Sequence, residues 1–364
     1  MTIVVYGAAG WTGSLTARAL DRAGLPIVLA GRDEAKLCEV SRRLPSSPPI
    51  RVASLDPAEL DRALAGATTV VHCAGPYREV GEPVMNAALR ARCHYFDASG
   101  EYGFLRDAHA RYDRDARARG LIFCPGFAAK GALGDWGATA AAHELDHSAL
   151  DEVAIAYAHG LREYLRPSAG SVLSAAGQDF LKQADDYDPD RSVARCFPFP
   201  PPFGRGWALL VPGAEDVSLP RHLPVSAVRS FLSLAPGSPV NELWARVCLA
   251  WLPVIPDISR LLERERAQLE RALAEPRQEQ ERDGFMVSIE VTSRGRCVRM
   301  AIAARDAYAV TAAILAHGVG SLGTGPRSAG VVPPSILCDA RDALASLSRA
   351  GALRVSRFVG DSAR

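Results

Sequence analysis

Three glycines near the start of the chain have a spacing that suits binding of a nucleotide. They belong to the run Gly7-Ala8-Ala9-Gly10-Trp11-Thr12-Gly13, which directly follows an apolar stretch at residues 3–6. Glycines at such a strand-to-helix turn let the backbone approach a pyrophosphate, and the amide end of the helix attracts the phosphates. A tight turn with no ligand would also use glycine. We predict that the nucleotide contacts are made by Gly7, Gly10, Trp11, Thr12 and Gly13.

The residues after the second apolar run bear on which dinucleotide binds. An enzyme that uses NAD usually has an acidic residue there, which accepts a hydrogen bond from the ribose 2′-hydroxyl. Here Gly31 is followed by Arg32, whose guanidinium could stack on adenine and pair with a 2′-phosphate. Lys36 lies one helical turn further on. Asp33 is the competing feature, since it could bind ribose or simply cap a helix. The pattern favours NADP.

Other candidate nucleotide ligands follow the third, fourth and fifth apolar runs. Asp56 could meet the adenine edge, although capping the helix that starts at Pro57 explains it equally well. Ligands of open parallel sheets bind beyond the carboxyl ends of the strands, so the loops there are candidates, and plain turn chemistry is the alternative. The predicted residues in these loops are Ala74, Gly75, Pro76, Ser99 and Gly100.

Two residues are candidates for moving a proton during catalysis. Tyr77 follows the fourth apolar run and could donate to a developing anion. Lys130 is one of only three lysines in the chain, and burial could adapt its ammonium group to act as an acid or to bind a carboxylate. Glu101 and Asp135 could orient these groups, or could cap the helices that they begin.

These residues need a parallel sheet to bring them together. Six apolar runs in the first 125 residues alternate with helical patterns, which predicts an α/β fold with a doubly wound Rossmann domain. The later part of the chain predicts a second, α+β domain that contains an antiparallel sheet, including a hairpin at 285–304. The stretch 184–226 is rich in Pro and Gly and is expected to be loop or edge structure. We place the domains at 1–127 and 128–330, with 331–364 as a C-terminal helix that is a candidate to pack on the first domain.

Composition excludes some classes of partner. The chain has 42 basic and 41 acidic residues, so it lacks the charge for a protein whose main partner is nucleic acid or an anionic membrane surface. Its eight cysteines include no C-x-x-C pair, which is typical of free thiols in a reducing compartment. The longest apolar stretch, 247–255, is too short to cross a bilayer. We expect a cytoplasmic protein with no stable membrane insertion, and the sequence leaves open whether it forms a homo-oligomer.

Two sequence patterns suggest chemistry that we do not expect. His143 to His147 spell H-E-x-x-H, a spacing that places two imidazoles on one helix face, as in zinc enzymes. The neighbouring acidic residues indicate a solvated helix end instead, so no metal is predicted. No tyrosine has a lysine four residues later, which excludes the usual catalytic pair of short-chain dehydrogenases.

Four motifs occur together in an order that resembles a known family. They are Gly7–Gly13, the Ala-Gly-Arg-Asp run at 30–33, the Ala-Gly-Pro-Tyr run at 74–77 and the His-Tyr-Phe-Asp-Ala-Ser-Gly-Glu run at 94–101. In these the chain resembles the saccharopine dehydrogenase-like oxidoreductases, and it is most similar to the branch that contains trans-acting enoyl reductases. The resemblance is close over about residues 1–136 and looser beyond. It implies an NADP-dependent reductase with a Rossmann domain and an antiparallel substrate domain.

The resemblance also leaves the substrate open. After the sixth apolar run the enoyl reductase branch usually has Gly-Phe-Asp-Ser, whereas this chain has Ala128 in place of the aspartate. We expect NADPH-dependent hydride transfer to a conjugated C=C bond of a small-molecule or carrier-bound acyl substrate, polyketide-like in character. An imine (C=N) reductase or amino-acid dehydrogenase of the saccharopine dehydrogenase type is the first alternative. A non-catalytic NADP-binding sensor is the second.

Overall fold

The computed structural model describes residues 2–145, 149–160, 194–201, 203–234, 236–237, 241–242, 284–323 and 328–361, with side chains up to 357. They belong to two compact units. The first unit comprises 1–136 and 308–352, and the second comprises 137–307 and 353–364. The predicted boundaries at 127 and 330 therefore differ from the observed ones. The residues after the sixth strand belong to the first unit because they bond there: the Ala129 amide donates to Thr311 Oγ1 at 3.0 Å.

The first unit contains a seven-stranded parallel sheet. Its strands are β1 Ile3–Tyr6, β2 Ile27–Gly31, β3 Ile50–Val52, β4 Thr69–His72, β5 His94–Asp97, β6 Ile122–Cys124 and β13 Gly330–Val331. The order is β3-β2-β1-β4-β5-β6-β13, and every pairing is parallel. The strand order reverses between β1 and β4, which is where ligands bind in such sheets. The predicted doubly wound Rossmann domain is confirmed.

Helices alternate with the strands of the first sheet, and further helices occur later in the chain. In chain order they are α1 Trp11–Arg22, α2 Glu34–Arg42, α3 Pro57–Leu64, α4 Tyr77–Ala91, α5 Tyr102–Ala118, α6 Ala129–Ala142, α7 Glu215–Ser218, α8 Ala307–Ser321, α9 Pro334–Leu337 and α10 Ala340–Arg349. Helices α9 and α10 lie where a single C-terminal helix was expected, within residues 331–364. The break occurs because the Asp339 side chain accepts the Arg341 and Asp342 amides and so starts a new helix.

The second unit contains a mixed sheet. Its strands are β7 Leu150–His159, β8 Ala194–Phe199, β9 Gly204–Leu210, β10 Val225–Leu234, β11 Phe285–Ser293, β12 Arg296–Ala304 and β14 Arg354–Asp361, in the order β14-β12-β11-β7-β10-β9-β8. All pairings are antiparallel except that of β7 with β10, so the expected antiparallel sheet has one parallel pair. The predicted hairpin is β11–β12. Helical sequence patterns also occur at 168–183, 241–252 and 258–273, and apart from 241–242 these residues lie outside the described part of the chain.

The Pro-rich stretch supplies the edge of the second sheet. β8 is the last strand in the sheet order and contains Pro198, which has no N–H to donate to a further strand. Phe197 and Phe199 on the same strand are buried in a core cluster with Phe231 of β10. The stretch was expected to be loop or edge structure, and its apolar side chains explain why it is held against the sheet.

Candidate nucleotide-binding site

The turn between β1 and α1 is packed too closely for side chains at two of its glycines. Gly7 has a φ of +83°, and a Cβ there would lie 2.8 Å from the Ala74 amide nitrogen. A Cβ on Gly13 would lie 2.1 Å from the Gly7 carbonyl oxygen. The first glycine therefore lets β1 pass the end of β4, and the third lets α1 pack on the turn.

The amide end of α1 fits a pyrophosphate. Its N-cap residue is Gly10, which has no side chain to bond the amides of the first helical turn. Trp11 is 56% exposed at this position, and the Thr12 carbonyl accepts the Thr16 hydroxyl at 2.8 Å, within the helix. A turn with glycine at its points of closest approach, followed by the amide end of a helix, is what a dinucleotide requires.

The end of β2 places a guanidinium beside the ends of β1 and β3. Arg32 is exposed, and its charge partly offsets the effect of burial, which raises the pKa of Tyr6. The Tyr6 hydroxyl in turn donates to the Ser54 carbonyl at 3.1 Å. Asp33 is the N-cap of α2: it accepts the Lys36 amide at 3.1 Å and pairs with the Lys36 ammonium at 3.1 Å. Arg32 is thus an exposed cation just after the end of β2, where we expect a 2′-phosphate to lie.

The loop after β3 is held by two acidic side chains. Asp56 Oδ1 accepts the amides of Ala58 and Glu59 at 3.0 and 3.1 Å, so Asp56 caps α3. Glu59 Oε2 accepts the Ser54 amide at 2.7 Å. Capping is the role that the structure gives Asp56, and contact with adenine stays a prediction.

The loop after β4 is exposed at its tip and is fastened from the neighbouring loop. Gly75 and Pro76 are exposed, and Ala74 is half-buried. The carboxylate of Glu101 accepts the amides of Tyr77 and Arg78, at 2.8 Å each, and so caps α4. We expected Glu101 to cap the helix that it begins. It caps α4 instead. The N-cap residue of α4 is Pro76, whose side chain cannot accept the amides of the first helical turn, and Glu101 accepts them from the neighbouring loop.

Tyr77 is not placed to give a proton to a substrate. Its side chain is 8% exposed, and its hydroxyl donates to the His72 carbonyl at 3.2 Å. The ring packs edge-on to His72, with 5.1 Å between ring centroids. Burial raises the pKa of Tyr77 well above its ordinary value. The catalytic role predicted for Tyr77 is therefore not supported by this geometry.

A buried carboxyl at the end of β5 joins the next two loops. Asp97 is fully buried, and its Oδ1 accepts the amides of Ser99 at 2.9 Å and Gly126 at 2.7 Å. Its carbonyl oxygen accepts the Phe127 amide at 2.9 Å. Ser99 Oγ then accepts the Glu101 amide at 3.1 Å. We did not single out Asp97 from the sequence, although a carboxyl at the end of an apolar run was the available signal.

The loop after β6 brings Lys130 beside the loop after β5. A Cβ built on Gly100 would lie 3.9 Å from the Cβ and Cδ atoms of Lys130, which is half-buried. The backbone is not helical at Lys130 or at Gly131, where φ is +114°. Ala128, at the position where the related branch has aspartate, is buried and accepts the Ala132 amide at 2.9 Å. The structure therefore brings together Gly100 and Lys130, two of the predicted site residues.

Asp135 also caps a helix other than its own. It lies within α6, is fully buried, and accepts the Ser335 amide at the start of α9 at 3.0 Å. Helix α6 is the element that Asp135 was expected to begin. The partner is 200 residues away in the chain, so no local sequence pattern could reveal it.

The described residues also bear on the predictions about a metal site and about membrane insertion. Among the described residues, no three His, Cys, Asp or Glu side chains gather as a metal site would require. Glu144 of the H-E-x-x-H pattern pairs with Arg357, and His147 lies outside the described residues. None of the described helices is both long enough and apolar enough to cross a membrane.

Comparison with known proteins identifies the same region. Residues 3–124 match the family model described as the saccharopine dehydrogenase NADP binding domain. A saccharopine dehydrogenase-like oxidoreductase of Rattus norvegicus is 33% identical over 137 residues, which cover 33% of this chain and 32% of that protein. A Mycobacterium tuberculosis protein, named provisionally as a trans-acting enoyl reductase, is 38% identical over 133 residues, or 34% of this chain and 32% of that protein. The matches thus span about a third of the curated relatives.

A solved structure extends the likeness of fold to the second unit. Apo saccharopine dehydrogenase (L-Glu forming) from Saccharomyces cerevisiae superposes with a TM-score of 0.59 at 12% identity, covering 98% of this chain and 99% of that one. At this identity the match shows the fold alone. The sequence match and the geometry of the glycine turn agree on the cofactor. Residues 3–124 of this chain match an NADP-binding domain of the saccharopine dehydrogenase type, which confirms the predicted NADP cofactor and supports the predicted resemblance to the saccharopine dehydrogenase-like oxidoreductases for that region.

Proposed function

We propose that this protein is an NADPH-dependent reductase that transfers hydride to a conjugated C=C bond of an acyl substrate, either free or bound to a carrier. The observation that supports this most is the site at the carboxyl ends of the strands. There the glycine turn, the exposed Arg32 and the half-buried Lys130 lie in one unit. NADPH, when bound, supplies the hydride. Reduction of a C=C bond also fits the name of the mycobacterial relative.

The chain's own residues divide the remaining work. Gly7, Gly10 and Gly13 let the backbone approach the pyrophosphate closely, and the amide end of α1 holds the phosphates. Arg32 binds the 2′-phosphate and so selects NADPH over NADH. The side chain of Lys130 lies beside the Gly100 loop, and its ammonium group would stabilise the anion that forms as hydride is added and then donate a proton to it.

Reduction of an amino-acid imine is the second candidate. Its support is the match of residues 3–124 to the saccharopine dehydrogenase NADP binding domain. In that case Lys130 would bind a substrate carboxylate instead of donating a proton. A non-catalytic NADP-binding sensor would use the same turn and the same Arg32, without need of Lys130. A cytoplasmic location also stays a prediction.

A panel of substrates separates these candidates. Consumption of NADPH is measured with enoyl thioesters and with imines formed from amino acids and aldehydes. We expect turnover with enoyl thioesters; turnover with imines alone would favour the second candidate. Turnover with neither, while NADPH still binds, would favour the sensor.

Substitutions of Lys130 test its part in the reaction. We expect Lys130→Met, which keeps the length of the side chain, to lower kcat by roughly 100-fold or more, within the range for loss of a general acid. Tyr77→Phe is the matched control and should leave kcat within about twofold, since its hydroxyl bonds the backbone. Equal activity of Lys130→Met and the wild type would contradict the role given to Lys130.

A further inference from the structure

The loops after β5 and β6 meet at one buried oxygen atom. Asp97 Oδ1 accepts both the Ser99 amide and the Gly126 amide, and the Asp97 carbonyl accepts the Phe127 amide. Asp97 therefore accepts three hydrogen bonds, which connect the end of β5 to the backbone of the loop after β5 and of the loop after β6. The two loops include Ser99, Gly100 and Lys130, which belong to the proposed site.

We propose that Asp97 is a positioning residue for nucleotide binding: the charge on its carboxyl sets how firmly the loops after β5 and β6 are held, and thereby how tightly the nucleotide binds. The proposal rests on the proposed function only in assuming that a nicotinamide dinucleotide binds at these strand ends. It gives no part in the chemical step to Asp97, which is fully buried.

The physical reason is the strength of bonds to an ionised acceptor. Hydrogen bonds from amides to a carboxylate are roughly twice as strong as those to a neutral acceptor. When Asp97 is ionised, the amides of Ser99 and Gly126 are held by charge-assisted bonds. When it is protonated, the same bonds weaken and the loops gain freedom, which a bound nucleotide must then remove.

The surroundings of Asp97 place this change near neutral pH. Burial raises the pKa of Asp97 to about 7, against the opposing effect of the bonds from Gly126 and Ser99. The titratable side chains that face it come from every neighbouring element: Tyr95 of β5, Glu101 after β5, Cys73 after β4, Tyr77 of α4 and Cys124 of β6. The negative charge of Glu101 raises the pKa of Asp97 further.

An imidazole bonded to this group of side chains carries no charge. The Tyr95 hydroxyl lies 3.1 Å from His72 Nδ1, and burial lowers the pKa of His72 to about 3, so that this imidazole is neutral.

Repulsion between Asp97 and the pyrophosphate acts in the opposite direction but is weaker. The phosphates belong at the end of β1, and β5 is separated from β1 by β4. Two strand spacings amount to about 10 Å, and the phosphates would lie at the solvent-facing end of the sheet, where water and the amide end of α1 offset their charge. Positioning therefore dominates, and the nucleotide should bind more tightly when Asp97 is ionised, above pH 7.

The test is the pH dependence of nucleotide affinity. NADPH and NADH are titrated into the wild-type protein at pH 6, 7 and 8, with nucleotide fluorescence as the signal. NADH is included because it lacks the 2′-phosphate, whose own ionisation near pH 6 would contribute. We expect the Kd of both nucleotides to fall by about fivefold or more between pH 6 and pH 8, a typical size for coupling between two sites.

Asp97→Asn supplies the decisive comparison. The amide side chain keeps an acceptor oxygen but stays neutral, so the variant at pH 8 should bind NADH as the wild type does at pH 6, with a flat profile. Asp113→Asn is the matched control: Asp113 Oδ1 accepts the Val331 amide at 3.0 Å in the same unit, away from these loops. This control should keep the wild-type profile.

A second variant applies even if Asp97→Asn does not fold. Glu101→Gln removes the charge that raises the pKa of Asp97, so the midpoint of the profile should move to lower pH, whatever happens to the affinity itself. A wild-type Kd for NADH that is equal at pH 6 and pH 8, or a wild-type profile retained in Asp97→Asn, would overturn the proposal. Failure of NADPH to bind at any pH would instead contradict the proposed function.

Discussion

Asp97 and Glu101 in the first unit and Glu290 in the second are buried carboxylates with different kinds of partner. In the first unit Asp97 and Glu101 accept backbone amides of loops and helix starts. In the second unit Glu290 of β11, which is 4% exposed, accepts Arg299 Nε of β12 at 2.7 Å and also pairs with Arg195 of β8. Amide bonds fix the path of the backbone, whereas these ion pairs fix one strand to another.

The difference indicates where each unit does its work. A loop that is fixed by a buried carboxylate presents its backbone and side chains in one arrangement, as a ligand site requires. A cross-strand ion pair below the surface supports the register of the sheet and leaves no loop shaped by it. Substitutions of Asp97 and Glu101 should therefore change nucleotide binding, whereas those of Glu290 should change stability alone.

The largest effect is expected from adding one methyl group to the glycine turn. In Gly13→Ala the new Cβ would lie 2.1 Å from the Gly7 carbonyl oxygen, so either the turn or α1 must move. We expect the affinity for NADPH to fall by at least about 100-fold, since close approach to the phosphates is lost. Gly320→Ala is the control. This glycine is exposed on α8, and a Cβ there would have no atom within 4 Å outside its own stretch of helix. The control should bind NADPH normally, and normal binding by Gly13→Ala would contradict the role given to the turn.

A smaller effect, confined to stability, is expected in the second unit. Glu290→Ala leaves Arg195 and Arg299 without their shared partner and should lower the free energy of unfolding by about 3 kcal/mol. Chemical denaturation measures this, and titration with NADPH should show an unchanged Kd. The comparison of the two units would fail if Glu290→Ala weakened nucleotide binding more than it weakened the fold.

The smallest effect is expected at Tyr77. Tyr77→Phe removes one buried hydrogen bond, to the His72 carbonyl, and should cost about 1 kcal/mol of stability. Thermal unfolding gives the stability. A large loss of kcat with no change in stability would instead restore Tyr77 as a proton donor, and would show that its side chain turns outward in the working enzyme.

Local patterns in the sequence predicted the frame of this protein well. The glycine turn, the six strands of the first sheet and the β11–β12 hairpin follow from rules that span a few residues, and the structure has each of them. The position of Arg32 directly after β2 follows in the same way, and its contact with the nucleotide stays a prediction. The single parallel pair in the second sheet was missed, since pairing between distant strands has no local signature.

What the sequence could not show is which distant groups its polar residues would bond. Glu101 caps α4, and Asp135 bonds a residue 200 positions away. The direction of the Tyr77 side chain depends on the packing of His72 and Phe104 around its ring. The importance of Asp97 depends on two loops that meet only in the folded chain. In each case the tertiary structure decides the role of a residue that the sequence could only mark as a candidate.

Selection of NADPH by the first unit is the central claim, and one measurement tests it most directly. NADPH and NADH are titrated into the wild-type protein and into Arg32→Ala at pH 8. We expect the wild type to bind NADPH roughly 10- to 100-fold more tightly than NADH, the size of one or two charge-assisted bonds, and Arg32→Ala to lose most of that preference. Equal affinity of the wild type for both nucleotides, or a preference unchanged in Arg32→Ala, would contradict the account.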